Sequence, residues 1–197
     1  MVASHPTGAL SPNQRSKQQQ IIDAARVVLV RDGLAGCTAR AVADASPLTK
    51  SAVHYYFHDI HEIIDRAVAA HLDDLLADLR DVAAQYPDPA ERLWAVIQTY
   101  LATFTDKPHA AFLWFEYWVT VSRRHSTDTV AQMVDTLHDL LVTLVQDLAV
   151  DDVDQTARAL QSWLLGTIVH QHLRPTTTDA LRAEFTNVLA QPAPGHR

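Results

Sequence analysis

The chain has 197 residues, of which 48% are hydrophobic and 20% charged, and this composition is typical of a folded globular protein rather than a disordered one. Only five glycines occur, and the stretch from Cys37 to Leu165 contains none. Phosphate-binding loops, dinucleotide fingerprints and nucleophile elbows all need clustered glycine, so these enzyme motifs are excluded.

The sequence also bears on the cellular compartment. The single cysteine, Cys37, has no partner for an intrachain disulfide, and no apolar run of signal-peptide length opens the chain. No apolar stretch approaches the roughly 20 residues that cross a bilayer. These features predict a cytoplasmic protein without membrane contact.

Charge is distributed unevenly along the chain. The formal net charge is −7, yet residues 1–58 hold six basic and three acidic side chains, and residues 59–197 hold ten basic and twenty acidic ones. A small basic module therefore precedes a larger acidic one. Such a module can approach phosphate while the acidic part stays away from the duplex.

The first segments predict a tail followed by three helices. Residues 1–16 are polar and contain prolines, which predicts a mobile tail. From Lys17 the apolar residues follow the helical period until Gly33 ends the first helix. Thr38 is a good N-cap for a short second helix over 39–45, and Thr49 for a third over 50–57.

Two short helices separated by a three-residue break predict a helix-turn-helix, in which the outward face of the second of them enters a major groove. In the third helix, Val53 and Phe57 share one face. The other face carries polar side chains, and no acidic residue occurs between Pro47 and His58. That polar face consists of Lys50, Ser51, His54 and Tyr55.

The remaining chain predicts helices only. Asp59 and Glu62 have the spacing of a capping box, which opens a long fourth helix. Five more periodic segments follow, and no strand is convincing. The predicted fold is all-α, with about nine helices, divided into a helix-turn-helix domain over 17–62 and a helical bundle over 63–197. The five segments are 90–105, 109–124, 129–149, 153–173 and 179–190.

The segment from Ile21 to Ile63 resembles the DNA-binding domain of the tetracycline-repressor (TetR) family. The resemblance rests on the IIDAA opening, Gly33, the Thr49-Lys50 start of the third helix and its Tyr55-Tyr56-Phe57 end. It implies that three N-terminal helices bind DNA and that the helical bundle binds a small molecule and dimerises. The residues that would face DNA are Thr38, Arg40, Thr49, Lys50, Ser51, His54 and Tyr55.

Three residues depart from the family pattern. Pro47 stands in the turn where the family usually has glycine, and proline cannot adopt a left-handed conformation. His54 replaces a frequent tyrosine, and Ile60 replaces a frequent phosphate-contacting lysine. We expect atypical docking or weaker nonspecific DNA binding.

Five aromatic residues lie within residues 112–118 and cover most of a helix circumference, which predicts a largely buried helix. One hypothesis is a ligand pocket with stacking aromatic rings and a countercharge. The alternative is an ordinary aromatic core with the carboxylate exposed or in a salt bridge. The candidate ligand-binding residues are Trp114, Glu116, Tyr117 and Trp118.

Segment 153–173 is apolar on two sides, and an amphipathic segment follows it. These two helices predict a four-helix homodimer interface, where Gly166 allows close approach. The alternative is a core formed within one chain. The predicted interface residues are Leu160, Trp163, Leu164, Gly166, Ile168, Leu181, Phe185 and Val188.

The eleven histidines do not predict a metal site, because neither His54, His58 and His61 nor His170 and His172 form a complete ligand set. No cofactor is expected.

The sequence therefore predicts a homodimeric regulator, not an enzyme, that an unidentified small-molecule effector releases from a pseudo-palindromic DNA operator. Two rivals stay open. One is a helical protein-interaction module that has lost DNA binding. The other is a helical enzyme with Glu116 and His109 as acid and base.

Overall fold

The computed structural model describes residues 11–105 and 108–190, except for the side chains of residues 108–111. Within these residues the chain forms nine helices and no strand, so the all-α prediction is confirmed there. The helices are α1 (Pro12–Gly36), α2 (Ala39–Asp44), α3 (Lys50–Tyr56), α4 (Ile60–Ala83), α5 (Pro89–Thr105), α6 (Pro108–Arg123), α7 (Asp128–Val145), α8 (Val153–Leu173) and α9 (Thr178–Leu189).

Helix α1 begins five residues before its predicted start, so residues 12–16 are not part of a tail. Ser11 and Gln14 form a capping box, in which each side chain accepts a hydrogen bond from the other residue's backbone N–H. The predicted tail residues 1–10 lie outside the described part. Near its end α1 is broken at Gly33, whose φ of 72° is a left-handed value that glycine adopts readily.

The fold has two hydrophobic clusters that meet along α4. The first joins α1, α2, α3 and the start of α4 to four residues of α6 and α7: Tyr117, Val121, Val130 and Met133. The second joins the end of α4 to α5, α7, α8 and α9. The partly buried Leu72 packs against both clusters. Helices α1 to α3 therefore share one core with α6 and α7, and the domain boundary after residue 62 stays a prediction.

Helix α4 begins immediately after the helix-turn-helix. The Asp59 side chain accepts a hydrogen bond from the backbone N–H of Glu62 at 2.9 Å. The Glu62 carboxylate reaches one residue further than in a capping box and accepts from the backbone N–H of His58 at 3.2 Å. Both bonds fix the start of α4 close to the end of α3.

Candidate functional site

The polar face of α3 lies on the surface of the protein. Its five predicted residues are all exposed, whereas Val53 and Phe57 are each 1% exposed and pack into the first cluster. The Gln18 side-chain amide of α1 donates to the carbonyl of Tyr56, which fixes the end of α3 against α1. The exposed residues are Thr49, Lys50, Ser51, His54 and Tyr55.

Two threonine hydroxyls cap the short helices. Thr38 accepts a hydrogen bond from the backbone N–H of Ala41 at 3.1 Å, and Thr49 accepts one from Ala52 at 3.2 Å. Each hydroxyl hydrogen still has the capacity to donate, for example to a phosphate oxygen. Arg40 is exposed beside Thr38, with Asp44 at 3.9 Å from its Nε. An exposed pair at this distance holds the guanidinium weakly.

The turn between α2 and α3 forms without a left-handed residue. Among the described residues only Gly33 and His125 have a positive φ, so Pro47 does not have to copy a glycine conformation. The Ser46 hydroxyl organises the turn instead, because it donates to the carbonyl of Ala43 at 3.2 Å and accepts from the backbone N–H of Leu48 at 3.1 Å. Pro47 is therefore compatible with a helix-turn-helix.

The prediction that the aromatic helix is largely buried is wrong. On α6, Phe112 is 62% exposed and Trp118 is 47% exposed, while Tyr117 is buried. Trp114 packs against the first cluster. The four candidate ligand residues therefore do not surround one pocket. Tyr117 points into the core, whereas Glu116 and Trp118 lie on the surface of the same helix.

Glu116 and Tyr117 do line a cavity of about 340 Å³, which we call the junction cavity because it lies where the end of α1 and the start of α4 meet α6. Its walls come from the end of α1 together with Cys37 just after it, from the start of α4 and from α6. The lining residues are Leu34, Ala35, Cys37, Ile60, His61, Ile64, Glu116, Tyr117, Thr120, Val121 and Arg124. Burial, with a contribution from Asp32, raises the pKa of the Cys37 thiol to about 11.

A polar contact beside the junction cavity joins α6 to α4. The Tyr117 hydroxyl donates to Oδ1 of Asp65 at 2.9 Å, and Arg124 Nη2 lies 3.7 Å from Oδ2 of the same carboxylate. Burial, together with the Asp65 carboxylate, raises the pKa of Tyr117. Asp65 and Arg124 were not predicted from the sequence, because no local pattern marks a contact between residues this far apart in the chain.

The structure corrects much of the predicted dimer interface. Five of the eight predicted residues are buried in the core of their own chain, which leaves them almost no surface for a partner. Trp163 and Val188 are partly exposed, and Gly166 is exposed. Sequence periodicity located two apolar faces on α8 and gave no means to tell which one faces inward. The five buried residues are Leu160, Leu164, Ile168, Leu181 and Phe185.

The outward apolar face of α8 is the one that carries Leu165, Val169 and Leu173, whose exposures reach 75% at Leu173. Gly166 lies on the same side, and a Cβ added there would meet no atom within 4 Å. Phe112 of α6 extends the apolar surface, because its ring lies 5.3 Å from the ring of His172. Exposed apolar patches of this kind mark interaction surfaces.

Neither a group of metal ligands nor a membrane-spanning helix occurs in the described residues. No three His, Cys, Asp or Glu side chains in 11–105 and 108–190 are grouped as ligands of a metal ion. In the same ranges, no helix combines the length and apolar character of a transmembrane span. The His109 side chain, proposed as a partner of Glu116 in acid-base chemistry, lies outside the described part of the chain.

Comparison with known proteins agrees with this geometry. Residues 21–67 match the model of the bacterial regulatory proteins of the tetR family, and they cover the second half of α1, all of α2 and α3, and the first turns of α4. The DNA-binding segment of the chain is therefore similar to that of the TetR family. Together with the exposed polar face of α3, this match supports a helix-turn-helix of the kind found in transcriptional regulators.

Relatives and solved structures extend the similarity over more of the chain. The HTH-type transcriptional regulator YfiR of Bacillus subtilis is 28% identical over 71% of this chain and 66% of its own length. The HTH-type transcriptional repressor KstR2 of Rhodococcus jostii is 25% identical over 48% of this chain and 46% of its own. The multidrug binding protein EbrR, solved with imidazole, is 25% identical with a TM-score of 0.66, over 95% of this chain and 98% of that one.

Proposed function

We propose that this protein is a homodimeric repressor that a small-molecule effector releases from a pseudo-palindromic operator. The observation that carries the proposal is the outward face of α3, which exposes one lysine, three hydroxyl groups and one histidine without an acidic side chain. The name of KstR2 as a repressor and of EbrR as a multidrug binding protein supports the repressor role and the effector.

Each exposed group has a role that suits duplex DNA. Lys50 can donate to phosphate or to the O6 and N7 atoms of guanine, and the Tyr55 hydroxyl can reach backbone oxygens. The capping hydroxyls of Thr38 and Thr49 can donate to phosphates without losing their helix caps. We expect Ser51 and His54 to contact base edges or phosphates on the same face, and Arg40 to contact the backbone.

The outward face of α8 provides the surface for dimerisation. Leu165, Val169 and Leu173 project from a helix whose opposite face is fully used by its own core. Pairing this face with a second copy removes it from water, and Gly166 permits close approach of the two α8 backbones. A twofold axis there presents two α3 helices to successive major-groove segments, about 34 Å apart.

Effector release requires that two dimer states differ in the separation of their α3 helices and that the effector favours the state with the wrong separation. Helix α4 begins beside α3 and is bonded to α6 through Asp65 and Tyr117. A displacement of α6 therefore moves the start of α4, which lies next to α3. A coupling of about 1 to 3 kcal/mol, typical of such systems, gives a release of about 5- to 150-fold.

Binding of fragments from the region upstream of the protein's own gene tests the DNA contact. We expect the Lys50→Ala, Tyr55→Ala double variant, both of whose residues are exposed, to fold normally and to bind at least tenfold more weakly. Arg80→Ala, at an exposed position of α4 far along the helix from α3, is the control and retains affinity. Equal binding by the double variant and the wild type contradicts the proposal.

A further inference from the structure

The link between α3 and α4 consists of three residues, Phe57 to Asp59, so the contacts that hold it decide the angle between the two helices. Phe57 ends α3 with its side chain buried in the first cluster. The next residue, His58, is exposed, and its backbone N–H donates to Oε2 of Glu62 at 3.2 Å. A carboxylate oxygen from the first turn of α4 therefore holds the backbone immediately after α3.

The other oxygen of Glu62 extends this contact to a second side chain of α4. Its Oε1 accepts a hydrogen bond from Nη2 of Arg66 at 2.9 Å. The guanidinium carbon of Arg66 lies over the Phe57 ring, 5.2 Å from its centre, which is a cation–π distance. Because Phe57 and His58 are neighbours in the chain, these contacts close a ring. We call it the link clamp, and its members are Phe57, His58, Glu62 and Arg66.

The link clamp adds little to the stability of the fold. Arg66 is exposed and Glu62 is half-buried, and ion pairs of this kind, four residues apart on a helix surface, stabilise weakly. Hydrogen bonds are directional, however, whereas apolar burial is not. The clamp therefore restricts rotation of α3 about the link, which the burial of Phe57 alone does not do.

The remaining contacts of α3 leave it free to tilt. The helix has seven residues, about two turns, and Val53 is the one buried residue among them. The Gln18 side chain holds the carbonyl of Tyr56 at 3.2 Å, which restrains the end of α3 on the side of α1. On the side of α4, the restraint is the link clamp.

We propose that Glu62 and Arg66 are positioning residues, which hold α3 at the angle to α4 that the operator requires and do not touch DNA themselves. This inference rests on the proposed function, because it concerns the same DNA contact. A small tilt of α3 separates its side chains from base edges, whereas flexible basic side chains still reach phosphates. Loss of the clamp therefore weakens operator binding more than binding to unrelated DNA.

Two variants with opposite charge changes test the positioning role. Arg66→Met removes a positive charge and Glu62→Gln a negative one, so a purely electrostatic effect weakens DNA binding in the first and strengthens it in the second. We expect both variants to bind fragments from upstream of the protein's own gene about tenfold more weakly, as for one lost base contact, and to bind sonicated unrelated DNA within about twofold of the wild type. Equal or stronger operator binding by Glu62→Gln overturns the proposal.

Matched controls make the same charge changes further along α4. Arg80→Met and Asp73→Asn alter exposed residues that have no ion pair in the described part of the chain, and both retain operator affinity within about twofold. Arg66→Lys keeps a positive charge for the Phe57 ring and a donor for Glu62, so we expect it to recover most of the lost affinity. A control that weakens operator binding as much as Arg66→Met overturns the proposal.

The salt dependence of operator binding distinguishes a positioning residue from a direct contact. Lys50→Ala removes a proposed phosphate or base contact, and we expect it to lower the salt slope by about one unit. Arg66→Met removes no such contact, so its slope equals that of the wild type. A slope lowered by about one unit in Arg66→Met would mean that Arg66 binds a phosphate, and it overturns the positioning role.

Hydrogen exchange in the free protein tests the link clamp independently of the proposed function. It is measured without DNA, by mass spectrometry of peptides that cover residues 54–60. We expect these amides to exchange about fivefold faster in Arg66→Met and Glu62→Gln than in the wild type, and equally fast in Arg80→Met. Faster exchange in a protein that binds no DNA fragment supports the clamp and counts against the proposed repressor. Unchanged exchange in both variants overturns the clamp, whatever DNA they bind.

Discussion

The hydroxyl of Tyr117 donates a 2.9 Å hydrogen bond to the carboxylate of Asp65, and this bond joins the middle of α6 to the first turns of α4. Both residues are close to the junction cavity, and Tyr117 belongs to the same hydrophobic cluster as the helix-turn-helix. A buried hydroxyl bonded to a carboxylate is a directional contact, so it fixes the register of the two helices more closely than apolar packing alone.

Tyr117→Phe removes this hydroxyl and keeps the ring. We expect a loss of about 1 to 3 kcal/mol in the free energy of unfolding, because among the described residues Asp65 then keeps only the more distant Arg124 as a partner. Urea denaturation measures it. The control is Tyr86→Phe, at an exposed tyrosine in the link between α4 and α5, which changes stability by less than about 0.5 kcal/mol. If Tyr117→Phe and the wild type have equal free energies of unfolding, the hydrogen bond contributes no stability.

Leu165→Glu introduces a charge into the outward face of α8. If this face pairs with a second copy, the variant is a folded monomer, because two unpaired carboxylates would be buried across the axis. Light scattering during size-exclusion chromatography measures the mass. Val30→Glu places the same charge at another exposed apolar residue, on α1, and remains a dimer. A Leu165→Glu protein that is still dimeric refutes the interface on this face.

Gly33→Ala forces a side chain into a backbone conformation with φ of 72° and ψ of −175°, a region that only glycine adopts readily. We expect a loss of about 1 to 3 kcal/mol, although a Cβ at this position meets no atom within 4 Å.

Gly166→Ala is the matched control for Gly33→Ala. Both substitutions are measured in the Leu165→Glu variant, which we expect to be monomeric, so that Gly166 does not lie in a dimer interface. It lies inside α8 with equally open space around the added Cβ, so it raises stability by about 0.5 to 1 kcal/mol. Similar effects of the two substitutions would contradict the role of backbone conformation at Gly33.

The N-cap of α4 predicts a pH effect. The hydrogen bond from the backbone N–H of Glu62 lowers the pKa of Asp59. A carboxyl group with a lower pKa in the folded state contributes stability above the unfolded value, near 3.9, and loses it as the pH falls through the folded value. We therefore expect the stability advantage of the wild type over Asp59→Asn, measured in urea, to shrink between about pH 5 and pH 3.

Asn at position 59 still caps the helix and has no charge to lose, so its own stability varies less with pH. Asp73→Asn, at an exposed position of α4 without an ion pair in the described part of the chain, serves as the control and parallels the wild type. A constant difference between the wild type and Asp59→Asn across this range would exclude a contribution from the ionised cap.

Local features of the sequence predicted the DNA-binding helices closely. The helix caps at Thr38 and Thr49 and the break at Gly33 each depend on a few neighbouring residues, so they can be read from the sequence. The spacing of Val53 and Phe57 likewise indicates which face of α3 is buried and which is exposed. Ser46 was not recognised as the organiser of the turn. Its role depends on bonds to Ala43 and Leu48, which a sequence pattern does not reveal.

Helix caps, periodicity and charge are properties of short segments, so the helices, their order and the basic character of the N-terminal module could be read from the residues alone. The inward position of Leu160 and the outward position of Leu165 on α8, the exposure of Trp118 and the cavity that Glu116 and Cys37 line follow from the packed fold. Burial depends on neighbouring helices, and these come from distant parts of the chain.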